Sequence, residues 1–390
     1  MPLILILSIT CFSGAVSIRL LDPIIPDIAT TYGVLPSTAA LLASAFTFPY
    51  ALSQPVLGPM GDAYGKARVI KIGLAVLAVA LLVSALAPTV EIMFASRIVA
   101  GMAGGAVIPV ALAMIGDRVP FEERQLALSQ LLSAMLAAQF VSLIGTGLIA
   151  GLFGWRYALY LAAGLTVVSL VAAIFALKPR QVARHDFNVE GLRESYADVF
   201  SNPKAWICYL AVFGEGVLIF GLIPYIAIMM QARGAGGVTE AGIAIAGMGV
   251  GGIIMTFAIK FLLRVFGGMH LLIQVGGVVA AVGFIGVAVA GSWWFEGLAF
   301  VLIGFGFYAV HSSLQTQATE LAPDHRGAAV ALHAFFFFLG HAAGPPLYAG
   351  MFALLGAPVT ILAVAAATLG ACLILGPALR RRDARAAPAA

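Results

Sequence analysis

The sequence predicts an all-α integral membrane protein: twelve transmembrane helices in two pseudo-symmetric six-helix bundles. Three observations carry that prediction. The composition excludes an ordinary soluble domain, with 62% hydrophobic and 10% charged residues where a soluble domain has roughly half and a quarter. The 390 residues break into apolar runs that each approach or exceed the ~20 residues needed to cross a bilayer. The basic residues between those runs gather on alternate turns, which is how spanning helices orient themselves.

Taken in order, the first run covers about 3–25 and ends in Leu21-Asp22-Pro23-Ile24-Ile25-Pro26. No positive segment precedes it and no small-residue cleavage site follows, so it reads as an uncleaved spanning helix rather than a signal peptide. Further runs cover about 38–60, 69–87, 91–115, 125–151 and 155–177, then 205–230, 239–263, 270–290, 293–317, 327–355 and 357–378. The organisation expected is a first bundle over 1–177, a cytoplasmic linker over 178–204, a second bundle over 205–379 and a cytoplasmic tail over 380–390. Within the linker, Val189, Leu192, Tyr196 and Val199 recur at helical steps among charges. The stretch is either a short amphipathic helix on the inner surface or a solvated connection.

If the N-terminus is cytoplasmic, the even-numbered turns and the tail hold 17 of the 21 Lys and Arg, and only Arg156 and Arg233 lie opposite. That bias places both termini in the cytoplasm. It also explains the net charge of +4 without a nucleic-acid partner. Cys11, Cys208 and Cys372 each sit inside an apolar run, with no metal or disulfide spacing. His333 and His341 are eight apart with no carboxylate between them, so no metal site and no cofactor are expected. A weak repeat at about 202 residues aligns Asp62-Ala63-Tyr64-Gly65 with Arg264-Val265-Phe266-Gly267 and Gly73 with Gly276. Two echoing halves suit a rocking transporter.

The most informative stretch joins the second and third runs: Gly58-Pro59-Met60-Gly61-Asp62-Ala63-Tyr64-Gly65-Lys66-Ala67-Arg68. It is short, charged and glycine-punctuated. Its spacing resembles the signature loop of the major facilitator superfamily. Arg97-Ile98-Val99-Ala100-Gly101 is similar to the R-x-x-x-G pattern of that family's proton-coupled exporters, with Asp117 at the far end of the same helix. Leu21-Asp22-Pro23-Ile24-Ile25-Pro26 is similar to an acid-bearing segment of its drug:proton antiporters. The fifth run departs: Gly145-Thr146-Gly147-Leu148-Ile149-Ala150-Gly151 lacks the proline of the antiporter pattern. The resemblance implies that Asp62 docks near the inner end of the eleventh helix and that Lys66 or Arg68 pairs with Asp117. Gly58, Asp62, Gly65, Lys66, Arg68 and Asp117 would then form a conformational latch. Without it, the same charges simply mark the inner surface.

Ionisable residues inside the runs are functional candidates by default. Arg97 lies about six residues, roughly 9 Å, into its helix. Asp22 and Arg19, one turn apart, are expected to join it in a charge cluster, or else to form a structural ion pair near the headgroups. Glu215 falls near mid-membrane between Gly214 and Gly216. It is read as a proton carrier or as a permanently protonated interhelical hydrogen-bonder. With Glu215, Asp22 and Arg97 as proton-coupling candidates, the substrate-cavity candidates are Arg19, Tyr50, Gln54, Gln139, His311 and Gln315. His311 and Gln315 are four apart on one face, and the resemblance places the first, fourth, seventh and tenth helices around a central cavity. Gly340, Gly344 and Pro345 suggest a helix-breaking gating bend.

These residues point away from an enzyme, since no Ser/His/Asp or Cys/His set falls in a water-facing region. The function expected is proton-coupled efflux of a small amphipathic organic solute or drug by alternating access, from a monomer in a bacterial inner membrane. The partners are the solute, protons and the lipid bilayer. The alternatives are proton-coupled uptake of a small metabolite or anion held by Arg97, and a membrane sensor or scaffold that moves nothing.

Overall fold

The computed structural model describes residues 3–178 and 189–386, without the side chains of a few positions, Gly58 and Asp62 among them. Among the described residues twelve helices are long and apolar enough to cross a membrane: Leu3–Tyr32, Pro36–Leu57, Lys66–Leu86, Val90–Arg118, Leu126–Phe153, Trp155–Ala176, Ala205–Ala232, Val238–Val265, Met269–Val289, Trp293–Thr319, Pro323–Leu355 and Ala357–Arg382. They are numbered here as the first to twelfth spans. The chain divides between Leu192 and Arg193 into two compact units of six spans each.

The first span runs seven residues beyond its sequence reading and is broken inside. Its first helix stops at Arg19, a short 3-10 turn covers Asp22–Ile24, and a second helix covers Ile25–Tyr32. Pro23 explains the stop, because its ring clashes with the carbonyl four residues back, that of Arg19. The fourth span breaks after Gly105 and resumes at Ile108, for the same reason at Pro109. The seventh breaks upstream of Pro224, with a π-helical turn over Gly216–Phe220 between helices Ala205–Glu215 and Ile223–Ala232. Pro23 and Pro224 are about one repeat apart, so each unit bends its first span at an equivalent place.

The eleventh span behaves differently from the expectation. Its helix runs unbroken from Arg326 to Leu355 with Pro345 and Pro346 inside it, so these prolines do not end it. Its glycines serve close packing instead. A Cβ on Gly340 would fall 2.2 Å from the Phe213 carbonyl oxygen, and one on Gly344 would fall 2.4 Å from the Gly221 Cα. The reciprocal positions Gly216 and Gly221 meet the same backbone. Bare backbones in contact are how helices associate where lipid removes the hydrophobic drive. The bend lies in the seventh span, opposite these glycines.

The connecting stretch is helical over Val189–Ser201 and belongs with the second unit. Val199 is fully buried in that unit's core, with Tyr196 and Phe200 packed against it. The Asn202 amide donates to the Leu321 carbonyl at 2.9 Å. Burial pushes the Tyr196 phenol up to about 12. This helix is docked rather than solvated. The tail differs as well, since the last helix continues through the arginines to Ala386.

Gly340→Ala should overpack the seventh–eleventh contact at a cost on the order of 1–3 kcal/mol. We expect a lowered thermal midpoint for the detergent-purified protein. Gly164→Ala, with nothing within 4 Å of the added atom, should melt like wild type.

Candidate functional site

In the first unit the break at Arg19 creates acceptors. The last carbonyls of a helix have no intrahelical partner, and two of them here are taken by neighbouring spans. The Ser142 hydroxyl of the fifth span donates to the Val16 carbonyl at 2.7 Å. Arg97 Nη2 of the fourth span donates to the Ser17 carbonyl at 3.3 Å. The Arg97 guanidinium is fully buried and lies 4.3 Å over the Phe46 ring, a cation–π arrangement that offsets part of the lost hydration. Nε and Nη1 have no partner among the described residues.

The glycine of the R-x-x-x-G motif sets this geometry. A Cβ at Gly101 would fall 2.1 Å from the Phe46 carbonyl oxygen, and one at Gly105 would fall 1.9 Å from the Ser53 hydroxyl. These glycines let the fourth span lie against the second, which brings Phe46 under Arg97 one turn earlier. Tyr50 and Gln54 are buried on the same second span, where the Gln54 amide donates to the Tyr50 carbonyl at 3.3 Å.

Within the expected three-residue charge cluster, Arg19 and Asp22 form the ion pair and Arg97 lies within electrostatic reach of Asp22. Arg19 Nη1 bonds Asp22 Oδ2 at 3.2 Å, both side chains being buried. Arg97 makes no ion pair with Asp22 among the described residues. The helix stop turns Asp22 towards Arg19, while the Ser17 carbonyl and Phe46 hold Arg97. Gln139 is half-buried on the fifth span.

At the start of the third span, the helix of the second continues to Tyr64. The turn thus narrows to Gly65, whose φ of +92° lies in the left-handed region where a side chain is strained. Lys66 Nζ pairs with Asp117, the partner the sequence offered for Lys66 or Arg68. Arg68 is exposed. Gly58 and the Asp62 carboxylate lie outside the described residues.

In the second unit Glu215 and His311 meet, Oε2 to Nδ1 at 2.9 Å. Glu215 is 8% exposed, and its Oε1 has no partner among the described residues. His311 also touches His333, with ring centroids 5.0 Å apart, and packs on Phe307 and Phe337 at 4.9 and 4.6 Å. His341 stacks on Phe220 at 4.1 Å. The rings pack around His311, whose hydrogen-bond partner is the acid. A carboxyl and an imidazole hydrogen-bonded to each other can share or exchange a proton. Gln315, one turn on from His311, is exposed.

Sequence reading singled out Glu215 and His311 separately and missed their contact. Depth was the available signal: Glu215 lies about ten residues from the start of the seventh span and His311 about eight from the end of the antiparallel tenth, roughly 12–15 Å in each case. It also missed Glu296. That acid is fully buried four residues into the tenth span, and both its oxygens are without partners among the described residues.

A family model described as the Major Facilitator Superfamily matches residues 7–345. The MFS-type transporter YwfA of Bacillus subtilis is 24% identical over 255 residues, 64% of this chain and 62% of that protein, so the chain spans about three fifths of that relative. Multidrug resistance protein 1 of Bacillus subtilis is 23% identical over 344 residues, 87% of each chain. The crystal structure of the nucleoside transporter NupG superposes with a TM-score of 0.77 over 98% of this chain and all of that one, at 16% identity. That likeness speaks for the fold.

A double-mutant cycle of Lys66→Ala and Asp117→Ala, read as thermal midpoints, should give a coupling of only about 0.2–1 kcal/mol, because the pair is partly exposed and Asp117 is 50% accessible.

Proposed function

Because the chain belongs to the Major Facilitator Superfamily, we propose that it is a secondary transporter rather than an enzyme, exporting a small amphipathic organic solute in exchange for protons. The observation that carries this reading is the Glu215–His311 contact at 2.9 Å, buried at mid-span with one carboxylate oxygen unpartnered. A proton bound there from outside neutralises the acid and releases solute. Loss of that proton inside makes the site ready again. The driving force is about 2.3 kcal/mol per proton per 100 mV, plus the pH gradient.

The direction draws support from the name of Multidrug resistance protein 1. The side-biased Lys and Arg favour a bacterial inner membrane with both termini cytoplasmic. The Lys66–Asp117 pair, together with Asp62 of the same motif, serves in this reading as the latch that opens to the cytoplasm. Arg19 with Asp22, and Tyr50 with Gln54, are polar groups of the first unit on the solute path. The protein works as a monomer.

A second reading has one specific observation behind it. Arg97 Nε and Nη1 are buried donors without partners, and charge-assisted hydrogen bonds to an anion would satisfy them. Uptake of an organic anion would use those donors. Anion transport abolished by Arg97→Lys, with proton coupling intact, would favour it over export.

The test is substrate-triggered proton movement in everted membrane vesicles across cationic, neutral and anionic solutes. One class should release protons from wild type and none from Glu215→Gln. Equal responses from both proteins would remove Glu215 from the mechanism.

A further inference from the structure

The broken first span of each unit carries the same hydrogen bond. In the first unit the Val16 carbonyl, just before the break, accepts from the Ser142 hydroxyl of the fifth span at 2.7 Å. In the second unit the Leu218 carbonyl accepts from the Tyr348 hydroxyl of the eleventh span at 2.5 Å. Val16 and Leu218 are 202 residues apart, the period of the internal repeat, so the equivalent carbonyl is held in both. The donors also come from equivalent spans, each the fifth of its unit, and both are buried. By the same period the counterpart of Ser142 is Gly344. That position has no side chain to give and no room for one, since a Cβ there would fall 2.4 Å from the Gly221 Cα. Tyr348 lies one turn further along the same face, and its longer side chain supplies the hydroxyl instead.

In the second unit the held carbonyl lies inside the wide turn. The π-helical stretch Gly216–Phe220 directly follows Glu215, and the Gly221 N–H reaches back five residues to the Gly216 carbonyl at 3.2 Å. Such a turn holds one residue more than an α-helix accommodates. Sliding it by one residue along the span would rotate the side chains it passes by about 100° around the helix axis, enough to carry Glu215 off His311. A hydrogen bond to a carbonyl within the turn opposes that slide. The Tyr225 hydroxyl of the seventh span donates to the Pro345 carbonyl of the eleventh at 2.7 Å, but that bond grips the backbone of the eleventh span from beyond the turn. The two tyrosines join the same spans and differ in which backbone they hold.

We propose that Tyr348 is a positioning residue for the Glu215–His311 site: its hydroxyl fixes the register of the wide turn and so keeps the acid against the imidazole. Ser142 holds the equivalent carbonyl in the first unit, ahead of Arg19 and Asp22, and has no part in the Glu215 contact. The proposal deepens the transport reading, and it rests on that reading only for what the proton on Glu215 drives.

The test is infrared spectroscopy of the full chain in nanodiscs, reading the carboxyl or carboxylate band of Glu215 as the one lost in Glu215→Gln. Tyr348→Phe keeps the ring, with its packing on Tyr225 and Phe352, and removes the donor. Its Glu215 band should shift towards the position found in His311→Asn, where the contact is gone. Tyr225→Phe, which removes a like bond between the same two spans, should leave the band at its wild-type position, and so should Ser142→Ala. In everted vesicles, substrate-triggered proton release should fall about two- to tenfold in Tyr348→Phe and stay near wild type in Tyr225→Phe. A wild-type band in Tyr348→Phe, or an equal shift in Tyr225→Phe, would overturn the positioning role. The expected band shift, with no proton movement from wild type, would sink the transport reading alone. Proton release lost in Glu215→Gln, with an unshifted band in Tyr348→Phe, would sink the positioning role alone.

Discussion

Everything in this chain is arranged around one constraint: inside a bilayer, a backbone polar group or a charge must find its partner within the protein. Proline breaks three spans, and each break frees carbonyls that an unbroken helix would have used. In the first span those carbonyls, on Val16 and Ser17, are taken by Ser142 and Arg97. A charge deep in a helix bundle is thereby held by a backbone group that Pro23 made available. The Arg97 guanidinium still keeps two donors unused, and Glu215 keeps one oxygen. These unmet groups are the places where a solute or a proton has something to bind.

Glycine supplies the second half of the arrangement. Without a hydrophobic drive between helices, close approach decides which side chains meet. Gly101 brings Phe46 beneath Arg97. Gly216 and Gly221, against Gly340 and Gly344, press the seventh span on the eleventh. That contact fixes the segment carrying Glu215 against the one carrying Phe337, which packs on His311. The same sequence elements that a motif search reads as a signature are, physically, the points of nearest backbone contact.

The twelve spans were legible because apolar length and basic turns are one-dimensional signals, and ends such as Trp155 and Leu355 fall where the pattern placed them. The individual ionisable residues were legible too, since a charge in an apolar run stands out. Their pairings were less so. Arg97 was expected with Asp22 and lies within its electrostatic reach, but that its hydrogen bond goes to the Ser17 carbonyl depends on how the first span breaks. Helical spacing put His311 and Gln315 on one face but carried no sign of the Glu215 contact from another span. Pro345 and Pro346 suggested a helix break that the eleventh span does not make, because a helix buried among neighbours tolerates proline. The docked helix over Val189–Ser201 carried an amphipathic pattern, but a pattern does not say whether lipid, water or protein meets its apolar face.

The claim at the centre of this account is that Glu215 and His311 share a proton that comes and goes. The most direct measurement is infrared difference spectroscopy of the purified protein across a pH titration, following the protonated-carboxyl stretch. The account predicts a band that titrates, vanishes in Glu215→Gln and titrates differently in His311→Asn. A Glu215 band that persists unchanged at every pH would contradict it, since the acid would then be a fixed hydrogen-bonder between helices.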